Sequence, residues 1–175
     1  MRHRTLLVPV MTLAALLLGG GVVAAAINCP PGGATCSGTN RSETLNGTTG
    51  DDTIYGLGRA DRIYGYEGND ELNGDGQTDA PDGDDAIYGG PGNDALSGYG
   101  GSDLLSGGDG NDKIEAREFS SPRPGVDTVK GGGGADVIVA SDGHKDVIDC
   151  GPGTDEVYFD KGKDVLTNCE RKFPI

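Results

Sequence analysis

The sequence predicts an all-β solenoid, and three observations carry that expectation. A nine-residue phrase recurs in eleven near-copies between about Gly47 and Thr167, as in GYEGNDELN (Gly65 to Asn73), GGPGNDALS (Gly89 to Ser97) and GGDGNDKIE (Gly107 to Glu115). These copies share glycine at positions 1 and 4, Asp at position 6 and an apolar residue at position 8. The chain is also poor in core material: its 175 residues include 33 Gly, no Trp and 34% hydrophobic residues, so an ordinary globular core would be thin.

The elements follow from the phrase. Glycine at positions 1 and 4 would each cost a helix roughly 1 kcal/mol, and a period of nine is not a heptad. A turn of six followed by a strand of three fits, with position 8 pointing inward and positions 7 and 9 outward. Parsed by the position-6 acid, the cycles carry Glu43, Asp52, Asp61, Asp70, Asp85, Asp94, Asp103, Asp112, Asp127, Asp136, Asp146, Asp155 and Asp164. Two residues after each comes Leu45, Ile54, Ile63, Leu72, Ile87, Leu96, Leu105, Ile114, Val129, Ile138, Ile148, Val157 or Leu166, without a polar exception. One inward side chain per strand makes no core alone, so successive units must coil and stack.

Two six-residue expansions interrupt the period, one near 76–82 and one near 116–124. A rival parse makes Asp79 the acid of an additional cycle, but Pro81 would then occupy the inward strand position and remove a ladder donor. The first expansion therefore reads as a loop from the edge. The second, Ala116 to Pro124, is basic and aromatic against an acidic background.

Before the repeats, Arg2 and Arg4 precede an apolar run from Leu6 to Leu18 and the small residues Ala24, Ala25 and Ala26. This is the layout of a secretory signal over 1–26, cleaved after Ala26. An uncleaved anchor is the competing reading, since the run just reaches the length of a thin spanning helix. The four cysteines then lie in an oxidising compartment and imply two disulfides. Three pairings exist, and spacing favours Cys29 with Cys36 and Cys150 with Cys169. A zinc site lacks any CxxC pair.

Acidic residues outnumber basic ones by 28 to 14, for a net charge of -14. Such a chain repels nucleic acid and anionic membranes and attracts cations. No HExxH, GxSxG or P-loop occurs, and His144 is the one imidazole beyond the leader, so no enzyme is expected and no catalytic residue is named. Tyr55, Tyr64, Tyr88 and Tyr158 fall at the outward position 9, either as ordinary strand surface or as contacts for a partner.

The phrase resembles the G-G-x-G-x-D-x-U-x nonapeptide of the RTX (hemolysin-type) calcium-binding repeat family, over most of the chain beyond the leader. The resemblance implies a right-handed parallel β-roll with two repeats per coil, calcium as cofactor, and ions between turns stacked on the same edge. Cycle n would then share an ion with cycle n+2. The acids sort accordingly into one edge of Asp52, Asp70, Asp94, Asp112, Asp136 and Asp155, each reached through an intact glycine at position 4. The other edge has Asp61, Asp85, Asp103, Asp127, Asp146 and Asp164. It is worn: Glu43 replaces Asp at its start, Arg59 replaces glycine, His144 and Lys145 crowd Asp146, and both expansions fall there.

Calcium takes six to eight oxygens, and a glycine-rich turn can direct backbone carbonyls and a short carboxylate at one ion. Without it, stacked aspartates repel. The expected protein is thus a secreted, extracellular β-roll that folds on binding several calcium ions. Its role would be structural or adhesion-like, or else that of a calcium buffer or sensor, with a cell-surface, polysaccharide or protein partner. The expected organisation is leader 1–26, N-terminal cap with a first degenerate repeat 27–46, roll 47–167 and C-terminal cap 168–175.

Overall fold

A computed structural model describes residues 26–33, 35–76, 82–117 and 125–175. The leader expected over 1–26 and the loops expected near 76–82 and 116–124 lie largely outside those residues, as do Asp79 and Pro81. The described chain is all-β and carries sixteen strands.

Odd-numbered strands form one parallel sheet of eight: β1 (Ala26–Asn28), β3 (Thr44–Asn46), β5 (Arg62–Tyr64), β7 (Ala86–Pro91), β9 (Leu104–Asp109), β11 (Thr128–Gly133), β13 (Val147–Asp149) and β15 (Val165–Thr167). Even-numbered strands form the second: β2 (Thr35–Ser37), β4 (Thr53–Leu57), β6 (Glu71–Asp75), β8 (Ala95–Ser97), β10 (Lys113–Glu115), β12 (Val137–Val139), β14 (Glu156–Phe159) and β16 (Arg171–Pro174). The chain therefore crosses from sheet to sheet at every turn and completes a coil every two strands. This is a parallel β-solenoid of the β-roll kind.

Register confirms two repeats per coil. Partners such as Leu45 and Ile63 are 18 residues apart, whereas Ile63 and Ile87, and Leu105 and Val129, are 24 apart because an expansion intervenes. Both expansions lie in turns that lead into the odd sheet, on the edge that the parity of the acids assigns to them.

The core is a single file of side chains between the sheets. The twelve position-8 residues from Leu45 to Val157 are at most 1% exposed, and Leu166, in the last coil, is partly buried.

Three strands lie beyond the thirteen periodic cycles. In β2, Cys36 takes the inward place opposite Ile54, and in β1, Ile27 pairs with Leu45. At the other end β16 extends the even sheet with all four residues exposed, held by the Arg171–Glu156 ion pair and by Phe173 stacked on Tyr158 at 4.9 Å. Both expected disulfides are formed, Cys29–Cys36 with Cα atoms 5.4 Å apart and Cys150–Cys169 at 5.1 Å. They sit at opposite ends of the roll, where a solenoid has no neighbouring coil to lean on.

Candidate metal-binding edges

Every turn delivers its acid to the mouth of the following strand, so acids of alternate cycles stack. On the even edge, main-chain amides join them: Asp52 N donates to Asp70 Oδ1 (2.8 Å), Asp70 N to Asp94 Oδ1 (2.8 Å), Asp94 N to Asp112 Oδ1 (2.8 Å), Asp112 N to Asp136 Oδ1 (2.8 Å) and Asp136 N to Asp155 Oδ1 (2.9 Å). On the odd edge the same bond runs from Glu43 N to Asp61 (2.7 Å), and onward to Asp85 (2.7 Å), Asp103 (2.8 Å), Asp127 (2.8 Å), Asp146 (2.9 Å) and Asp164 (3.0 Å). All twelve aspartates named from the sequence thus fall into two columns of six. The odd column is as continuous as the even one.

One oxygen of each carboxylate is therefore committed, and the other is what matters. Oδ2 of Asp70, Asp94, Asp112, Asp136 and Asp155 on the even edge, and of Asp61, Asp85 and Asp103 on the odd edge, is buried and meets no hydrogen-bond donor. Position 1 explains the geometry. At Gly107 the place a Cβ would take lies 2.2 Å from Asp112 Oδ2 and 2.5 Å from the carbonyl oxygen of Gly131 in the next coil. Two oxygens of different coils converge on a point that only glycine leaves free.

Position 4 adds another file of oxygens. At Gly92, with φ of +147°, a Cβ would stand 1.6 Å from the Gly68 carbonyl oxygen of the preceding coil. The same contact recurs at Gly110 (1.7 Å from Gly92 O) and Gly134 (1.7 Å from Gly110 O). Carbonyls thus point along the axis from coil to coil.

Burial raises the carboxyl groups above their ordinary range. Loss of hydration is the largest cause throughout, opposed by the donated amide and in most cases reinforced by neighbouring carboxylates. It pushes Asp103 up to about 9, Asp85 to about 8, Asp61 and Asp112 to about 7 and Asp70 to about 6, and it also raises Asp94, Asp136, Asp155 and Asp164. On the odd edge, the buried carboxylate of Asp75 adds repulsion to Asp61, Asp85 and Asp103.

Among the described residues, no three His, Cys, Asp or Glu side chains converge on one point. An ion between coils would take carboxylates from the turns on either side, and backbone carbonyls would supply the rest. Buried anionic oxygens without donors, beside carbonyls and with no thiolate or imidazole among them, suit a hard cation that prefers oxygen.

Three features escape the sequence pattern. The even column continues past Asp155, whose amide donates to Glu170 Oε2 at 3.2 Å. The odd edge changes character along its length, because position 1 is glycine before Asp61, Asp85 and Asp103 but Ala116, Ala140 and Phe159 before Asp127, Asp146 and Asp164. On the even edge, Cys150 makes the same substitution before Asp155. Finally, the column ends are closed by protein donors: Asp52 Oδ2 accepts from Thr48 N (2.6 Å) and Oγ1 (2.9 Å), and Asp164 Oδ2 from Asp160 N (2.7 Å). Beside Asp164, Lys163 Nζ donates to the Gly143 carbonyl at 2.5 Å, placing an ammonium over the turn.

No curated protein and no solved structure matches the chain. The family model of the RTX calcium-binding nonapeptide repeat, however, matches it in four copies, at residues 37–58, 46–80, 82–114 and 123–144. These cover more than half of the sequence and include the acids of both columns from Glu43 to Asp136. The chain belongs to the RTX calcium-binding nonapeptide repeat family, and calcium is the ion that such repeats bind.

Proposed function

We propose that the two columns hold calcium between successive coils, and that the ions complete the fold of a secreted module with a structural or adhesion-like role. The observation that carries this reading is the file of buried Oδ2 atoms without donors, repeated coil after coil. On the even edge the ligands would be Asp52, Asp70, Asp94, Asp112, Asp136 and Asp155, and on the odd edge Asp61, Asp85 and Asp103. Asp127, Asp146 and Asp164 in the odd column and Asp155 in the even one lack the position-1 glycine, so they would bind more weakly. Calcium supplies the positive charge that the acids need, and glycine turns supply carbonyls to fill its shell.

A β-roll of such repeats is a non-catalytic fold in itself. Its apolar file does not compensate the buried acids, so the ion is what lets the roll hold together. The two disulfides support an extracellular setting, where thiols oxidise and calcium is millimolar.

Protease protection as a function of free calcium tests the role. A structural module should reach half-protection at about 0.1–1 mM calcium and be saturated outside the cell. A midpoint at or below about 10 µM would overturn the structural reading in favour of a sensor.

A further inference from the structure

The outward face of the even sheet carries a trough of about 610 Å³ whose rim includes Asp51 and the column acids Asp52 and Asp70. Its floor is set by register. Asn73 pairs with Ser97, and Ala95 lies between Glu71 and Lys113, so two short side chains sit side by side among longer ones. Glu71, Glu115 and Tyr99 stand around them.

Asn73 is the residue to explain. It is 6% exposed although it occupies an outward strand position, and its Nδ2 meets no acceptor. Its neighbours on the rim differ: Asn69 Nδ2 donates to Asp51 Oδ1 (3.1 Å) and Asn93 Nδ2 to Asn69 Oδ1 (3.2 Å). A buried amide left without an acceptor is a cost that native folds generally avoid. Tyr99 is a second feature. Like Leu57 and Tyr66, it stands at the position 2 that Gly90, Gly108 and Gly132 take elsewhere, and it adopts their left-handed backbone at φ +71°. It lines the trough together with Glu71 and Glu115.

The donors and acceptors define the ligand. A bare cation would answer the carboxylates of the lining but leave the Asn73 amide unmet, and an anion would face Asp51, Glu71 and Glu115 with the nearest ammonium, Lys113, already bound to Glu115 at 2.7 Å. A hydroxyl group does both tasks, accepting from the amide and donating to the carboxylates. An array of hydroxyls with an apolar face for Tyr99 is a neutral sugar chain, and the trough lies within the size range of small-ligand sites. Tyr64, Tyr66 and Tyr88 on the odd face make a poorer platform, because their rings stack on one another at 6.0 and 5.1 Å and so use up their own faces. We propose that the trough over Asn73 binds a neutral oligosaccharide.

The test uses the full chain in saturating calcium and titrates it by calorimetry with cellohexaose, maltohexaose, laminarihexaose, mannohexaose and chitohexaose. At least one should bind, and both Asn73→Leu and Tyr99→Gly should weaken it by about tenfold or more. Tyr99→Gly restores the residue type that the backbone favours there, so it removes the ring without threatening the fold. The circular dichroism of each variant in calcium separates loss of the site from loss of the roll. Absence of binding by all five sugars up to about 10 mM overturns the proposal. So does binding that survives both substitutions, or that is lost instead on Tyr64→Ala.

Discussion

Replacing Asp112 by Asn should shift the stability of the roll in opposite directions with and without calcium. Asp112 lies between Asp94 and Asp136 in its column, its Oδ1 facing the preceding coil and its Oδ2 the following one. Coils stack about 4.8 Å apart, so at an effective dielectric near 20 each ionised neighbour costs on the order of 3 kcal/mol. Asparagine removes that charge while keeping an acceptor for the Asp94 amide. Without calcium, above the range where Asp112 takes up a proton, the variant should therefore hold more β-structure than the wild type. With calcium, the same change withdraws a charge from the ion on either side. At free calcium tenfold above Kd each site contributes about 1.4 kcal/mol, so two sites amount to about 3 kcal/mol, or about 6–12 °C in melting temperature for a chain of this size. Thermal melts by far-UV circular dichroism at pH 8.5, in EDTA and in 10 mM calcium, read both effects. A variant that loses stability equally in the two buffers would refute the reasoning.

Proton linkage gives a related expectation. The column carboxyls have folded pKa values raised above 3.8, so the stability they lend the metal-free roll is full below that value. It is lost as pH rises through about 6 to 9. Melts in EDTA should accordingly weaken from pH 5 to pH 9, whereas calcium binding strengthens over the same range as protons stop competing. Gly92→Ala should cost about 2–5 kcal/mol, combining left-handed strain with the collision against Gly68 O, while Gly50→Ala, with nothing within 4 Å of its Cβ, should stay within about 1 kcal/mol of wild type in urea unfolding. Asp164→Asn should leave the calcium count from equilibrium dialysis unchanged, because Asp160 N and the Lys163 ammonium already serve that turn; a lost ion would show that the odd column binds metal to its end.

The legible part of the structure is the part governed by period. Position 8 identified the apolar file because each cycle places one side chain inward, and parity of the acids identified the two columns because a coil contains two repeats. The cysteine spacing likewise matched the ends that needed closing. What stayed hidden depends on contacts between coils. β1 and β2 lack the acid of a repeat and β16 its inward apolar residue, and Cys36 fills a core position without resembling the residues above it. Glu170 joins the even column from outside the period, brought there by the chain that follows the Cys150–Cys169 bridge. Ala116, Ala140 and Phe159 matter only once the Cβ of position 1 is seen to point at the carboxylate. The trough over Asn73 arises from register across an expansion, which no local pattern reveals.

A calcium titration of residues 27–175, followed by far-UV circular dichroism with magnesium as control, tests the central claim most directly. The columns predict a cooperative gain of β-signal with calcium in the range of about 0.1–1 mM, and little response to magnesium, whose small octahedral shell the carbonyl files do not fit. No gain of β-structure up to about 10 mM calcium would contradict the account.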